Sequence, residues 1–95
     1  MTSTEKRSVR VNVQGRVQGV GFRYSTQQQA RRLGVNGWVK NERDGTVTVV
    51  AEGPKAAVDE MVRWLQEGPG FANVANVSVT DYAYEGKYSS FGVKP

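Results

Sequence analysis

Stretches of period-2 hydrophobicity alternate with stretches of helical period in the order β-α-β-β-α-β, which predicts an α+β domain with an antiparallel sheet and two helices on one face. Glycine and proline punctuate that order. Gly34 stops the first helical stretch, Gly68-Pro69-Gly70 breaks the second, and Asp44-Gly45 marks a hairpin between the middle strands.

Val9, Val11 and Val13 alternate with Arg10 and Asn12, the pattern of a strand with one buried face, and Gly15 ends it. Phe22, Thr26, Ala30 and Leu33 then recur at helical spacing, while Gln27, Gln28, Arg31 and Arg32 point elsewhere. Residues 35–40 read as a second strand and residues 46–52 as a third, with Val47, Val49 and Ala51 inward. Gly53-Pro54 opens a second helix carrying Val58, Met61, Val62 and Leu65 at i, i+3, i+4 and i+7. Val77 and Val79 mark a fourth strand, and residues 91–93 add a short edge piece. Right-handed crossovers put both helices on one side, the split βαβ or ferredoxin-like arrangement. Residues 1–7 are expected to form a flexible N-terminal segment and residues 8–95 the domain.

A chain of 95 residues has room for one core. Apolar residues at 38% and charged residues at 23% describe an ordinary globular protein. The sequence has no cysteine and no histidine, which excludes disulfides, cysteine nucleophiles, a histidine base and the usual zinc, copper and haem ligand sets. No metal and no cofactor is expected. The formal charge of +4 favours anionic partners. The polar N-terminus lacks the apolar stretch of a signal peptide, and no segment is a membrane span, so a cytoplasmic location without membrane contact is the expectation.

Chemistry concentrates in Gly15-Arg16-Val17-Gln18-Gly19-Val20-Gly21-Phe22-Arg23, between the first strand and the first helix. Glycines let successive amides converge on one point, and the helix N-terminus adds free amides and the positive end of its dipole. An anion fits such a nest. Arg23, in the first helical turn, brings a planar fork of donors suited to two phosphoryl oxygens. The loop lacks the third glycine of a dinucleotide fingerprint, where Tyr24 stands, and the Gly-Lys-Ser/Thr ending of a Walker loop. On composition alone, the glycines serve equally well as a tight strand-to-helix connection, with Arg23 a solvated charge and Asn41 a turn residue.

The same residues resemble the first signature of the acylphosphatases, Gly15-x-Val17-Gln18-Gly19-Val20-x-Phe22-Arg23, with every fixed position filled. Gly37-Trp38-Val39-Lys40-Asn41, followed at the expected spacing by Gly45, Val47 and Gly53, is similar to the second. The resemblance implies a stand-alone enzyme cleaving the carboxyl-phosphate bond of small acyl phosphates without a metal. Inorganic phosphate would be its product or inhibitor. It implies catalytic roles for Arg23, binding phosphate, and Asn41, orienting the attacking water. Residues Gly15, Arg16, Val17, Gln18, Gly19, Val20 and Gly21 would form the phosphate-binding loop. Arg16, Gln18 and Lys40 read as solvated or loop-bracing side chains, and Trp38 and Tyr24 as packing groups. The resemblance departs at Gly92-Val93-Lys94-Pro95, where an aromatic or arginine-containing close is more usual, and so carries no expectation for C-terminal contacts.

The rival is a nucleic-acid-binding or regulatory module of the same fold without catalysis, suggested by the basic charge and by Val20-Gly21-Phe22-Arg23-Tyr24. An RRM carries its aromatic segment on the third strand, which here has none. A domain of the larger carbamoyl-transferring enzymes is disfavoured because the zinc-module cysteines are missing, and a silent domain because Arg23 and Asn41 are both present. No nucleic-acid partner is expected, and a monomer is the default.

Overall fold

The computed structural model describes residues 5–19 and 21–95. It contains strands β1 (Lys6–Arg16), β2 (Asn36–Asn41), β3 (Val47–Pro54), β4 (Asn73–Tyr82) and β5 (Phe91–Lys94), with helices α1 (Phe22–Leu33) and α2 (Lys55–Glu67). The strand order is β4-β1-β3-β2-β5, and β1 pairs antiparallel with both β3 and β4. This is the ferredoxin-like α+β fold.

Alternation decides which face is buried. Val9, Val11 and Val13 of β1 lie beside Ala51, Val49 and Val47 of β3, and all are fully buried. They meet Phe22, Thr26 and Ala30 of α1 and Val58, Met61 and Leu65 of α2. Burying a side chain of this size is worth about 1.5–3 kcal/mol, so this valine-rich layer is the main stabilising element. Thr26 joins it at little polar cost, because its hydroxyl donates to the Phe22 carbonyl at 2.7 Å.

Two expectations need correction. The sheet is mixed, because β5 runs parallel to β2, from Gly37 beside Phe91 to Lys40 beside Lys94. The reason is directional. Strand β4 ends at the edge and end of the sheet opposite to where β5 must finish. Residues 83–90 therefore cross to the free edge of β2, and the chain re-enters running the same way as β2. Tyr88 fastens that crossing: its amide donates to the Glu52 carboxylate at 3.0 Å, and its carbonyl accepts from the Asn36 side chain at 3.2 Å. Second, β1 begins at Lys6, so Lys6 and Arg7 belong to the sheet and not to a flexible segment.

Strands β1, β2 and β5 all point the same way, and α1 starts where they end. Four chain segments therefore converge at one end of the sheet. Among the described residues, no helix is long and apolar enough to cross a membrane.

The opposite end is tied by charge. The Arg7 guanidinium donates to Asp81 on β4 at 2.7 Å and to Asp59 on α2 at 2.8 Å, and Lys55 reaches Asp59 at 2.9 Å. These bonds hold Asp59, through Lys55 and then Arg7, and Asp81, through Arg7, below the ordinary aspartate value of 3.8. A carboxylate depressed on folding contributes stability above its unfolded value and loses it as pH falls through the folded one. The urea midpoint should therefore drop between about pH 5 and pH 2, and the drop should be shallower in Arg7→Met. Equal slopes for the two proteins would show that this cluster does not couple to folding.

Candidate active site

The turn from β1 into α1 begins with an irregularity. The register of β1 against β4 shifts between Gln14 and Gly15, after which Gly15 pairs with Val74 and Arg16 with Asn73. A Cβ at Gly15 would lie 2.2 Å from the Asn73 carbonyl oxygen, so only glycine allows the strands to stay paired through the bulge. Gly15 and Arg16 are thus sheet residues. Val17 follows with its side chain fully buried in the core, anchoring the start of the loop. Val20 lies outside the described residues.

Gly19 and Gly21 both have φ of 75°, the left-handed region, and Gly21 is the N-cap of α1. Nothing lies within 4 Å of a Cβ built on either, so the requirement for glycine is conformational and not one of space. The first bond of the helix runs from Ser25 N–H to Gly21 at 3.0 Å. Among the described residues, no backbone carbonyl takes the amides of Gly19, Gly21, Phe22 or Arg23. These donors at a positive helix end are a fixed field for an anion.

Gln18 ties this loop to the β2–β3 hairpin. Its side-chain amide donates to the carbonyls of Glu42 and Thr46, both at 2.8 Å. The hairpin is in turn closed by Glu42 N–H to the Thr46 carbonyl at 2.8 Å and by Asp44, whose carboxylate accepts from the Thr46 hydroxyl at 2.7 Å. Those hydroxyl and backbone bonds from Thr46 hold the Asp44 carboxyl below its ordinary value.

Asn41 ends β2. Counting by twos, Gly37, Val39 and Asn41 share the face on which Val39 is fully buried, so the side chain of Asn41 ends the core face where the loop enters. Its Oδ1 is buried and has no hydrogen-bond partner among the described residues. An acceptor left so costs about 1–3 kcal/mol. Lys40 falls on the other face of the sheet and borders a second groove, which Asn41 also lines, with Arg10, Arg43, Glu42 and Asp44.

Arg23 is positioned from the far edge of the sheet. Its guanidinium donates to the Lys94 carbonyl at 2.7 Å, a contact of the C-terminal strand about which the motifs were silent. Lys94 is itself placed, because its ammonium lies 4.4 Å from the centre of the Trp38 ring. Trp38 also donates to the Tyr88 hydroxyl at 3.3 Å. One backbone acceptor occupies one donor and, among the described residues, leaves the rest of the Arg23 fork without an acceptor.

A cleft of about 380 Å³ gathers Val17, Gly19, Gly21, Phe22, Arg23, Tyr24, Asn41 and Val93. Of the expected site residues it brings together Arg23, Asn41, Val17, Gly19 and Gly21. Gly15, Arg16 and Gln18 support it from outside. Tyr24 departs from the expected packing role: it is 65% exposed on the rim. Its adjacency to Arg23 in the first turn of α1 was the available signal.

The ferredoxin-like domain thus gathers at one end of its sheet loop amides at a helix start, an arginine and, among the described residues, an unpaired carboxamide oxygen, a chemistry suited to an anion. Residues 9–93 match the model of the Acylphosphatase family, and the chain belongs to that family. An acylphosphatase of Rubrobacter xylanophilus is 50% identical over 93 residues, covering 98% of this chain and 84% of the relative. Among solved structures, an acylphosphatase from Coxiella burnetii is 40% identical with a TM-score of 0.90, covering 99% of this chain and 100% of that one. An acylphosphatase from Bacillus subtilis is 39% identical with a TM-score of 0.89, covering 94% and 99%. The protein is an enzyme of the acylphosphatase type.

Replacing Gln18 with alanine removes both bonds between loop and hairpin. It should lower unfolding stability by about 1–2 kcal/mol, measured by urea denaturation. An unchanged midpoint would mean that the loop is held by its glycines alone.

Proposed function

We propose that the enzyme holds the phosphoryl group of a small acyl phosphate in the nest before α1 and directs water onto it with Asn41. The amides of Gly19, Gly21 and Phe22 and the free donors of Arg23 meet the phosphoryl oxygens, where a loose transition state gathers charge. Water donates one hydrogen bond to Asn41 Oδ1, which turns its lone pair towards phosphorus. The new P–O bond forms as the bond to the carboxylate oxygen breaks, and the electron pair leaves with the carboxylate. The proton of the attacking water passes to a phosphoryl oxygen, because a carboxamide cannot take it at neutral pH. Products are the carboxylate and inorganic phosphate.

The single observation that carries this reading is Asn41 Oδ1, a buried acceptor without a partner among the described residues, in the cleft that Arg23 also lines. A core-facing carboxamide with no protein partner is costly unless a ligand or water donates to it. A carboxylate departs without a general acid or Lewis acid, which fits a chain that has no histidine. We take the enzyme to act in the cytoplasm as a monomer, without a metal and without a nucleic-acid partner. The spread of its basic residues along the sequence supports the last of these.

Release of phosphate from benzoyl phosphate in the presence of a chelator, beside an ordinary phosphate monoester, tests the function. Rapid release from the acyl phosphate alone is expected. Strict dependence on added metal would contradict the mechanism. Arg23→Ala should lose on the order of 10² or more in kcat/KM and bind inorganic phosphate weakly. Asn41→Ala should lose about as much in kcat with little change in KM. Full turnover by Asn41→Ala would remove the water-orienting role.

A further inference from the structure

Once Arg23 and Asn41 are committed to the phosphoryl group and its water, the remaining side chains of the cleft are apolar or aromatic: Val17, Phe22, Tyr24 and Val93. Val17 and Phe22 are buried in the core and only floor the cleft. Tyr24 and Val93 differ from them, being 65% and 40% exposed on its rim. They come from different elements, the first turn of α1 and the last strand, and the bond from Arg23 to the Lys94 carbonyl ties those elements together beside them. Val93 pairs with Val39, on the same sheet face as Asn41. Two exposed apolar groups thus line the rim of the cleft that Arg23 and Asn41 share.

We infer that Tyr24 and Val93 form the wall that receives the acyl part of the substrate, so that the enzyme selects acyl phosphates with an apolar, and above all an aromatic, acyl group. The inference rests on the phosphate and water roles proposed for Arg23 and Asn41. An aromatic acyl group stacks on the Tyr24 ring and covers Val93, removing both from water. No carboxylate or second cation lines this cleft to receive a charged acyl chain. The groove that Asn41 also borders mixes Arg10, Lys40 and Arg43 with Glu42 and Asp44, so it offers a charged acyl chain cations that are partly offset by carboxylates. Lys40 lies on the opposite sheet face from Asn41, away from the start of α1, so an acyl group leaving the nest meets Tyr24 and Val93 instead.

The test compares kcat/KM for benzoyl, acetyl and succinyl phosphate in the wild type, Tyr24→Ala and Tyr24→Phe. The wild type should prefer benzoyl phosphate. Tyr24→Ala should cut the benzoyl-to-acetyl ratio about tenfold, while Tyr24→Phe, which keeps the ring, preserves it. A ratio that does not move in Tyr24→Ala, or a wild-type preference for succinyl phosphate, would overturn the inference and leave the phosphatase reading intact. A wild type that releases phosphate from none of the three would overturn both.

Discussion

The alternation of β2 is the constraint on which the site depends. A strand that buries Val39 must send Asn41 to the same side, and the strand ends there, beside the entry of the glycine loop. A one-residue change of register would turn Asn41 to the open face and bring Lys40 into the nest. The pairing of β2 with β3, from Asn36 beside Glu52 to Asn41 beside Val47, is therefore as much part of the site as the loop itself. The valine core that fixes this register also fixes the carboxamide.

The rest of the site is arranged by long-range ties of ordinary strength. Gln18 joins the loop to the hairpin that follows Asn41, and the Lys94 carbonyl joins Arg23 to the last strand. Each tie links two elements distant in sequence but adjacent at one end of the sheet. Their joint effect is to hold loop, hairpin and Arg23 in place, and on the roles proposed for Arg23 and Asn41 that preorganisation is where electrostatic stabilisation of a transition state is most effective. The buried Asn41 oxygen, unpartnered among the described residues, and the left-handed glycines oppose folding slightly. The core, where Phe22, Met61 and Leu65 are nearly or wholly buried, offsets them.

Much of the fold was legible because local signals agreed with one another. The spacing of Phe22, Thr26, Ala30 and Leu33, closed by Gly34, fits α1 at Phe22–Leu33, since the C-cap glycine and the apolar stripe end together. The parallel course of β5 was not legible, because it follows from where a crossing of residues 83–90 delivers the chain. At the site, Arg23 and Asn41 stood out through their motifs. The anchor of Arg23 did not, because a backbone carbonyl leaves no mark in a sequence. Tyr24 reads from the sequence as a packing group, as an aromatic residue commonly is, and only the geometry of the rim shows it facing outward. Gly15 and Arg16 belong to a motif that runs on continuously into the loop, whereas the bulge keeps them in the sheet.

On the proposed mechanism, Asn41 Oδ1 and the nest amides address the same phosphoryl group from different sides. A high-resolution crystal structure with inorganic phosphate bound measures this directly. The phosphate oxygens should lie within hydrogen-bond distance of the amides of Gly19, Gly21 and Phe22 and of the Arg23 guanidinium, with an ordered water between Asn41 Oδ1 and phosphorus. Phosphate bound elsewhere, or an Asn41 Oδ1 paired to a protein donor with no room for that water, would contradict the account.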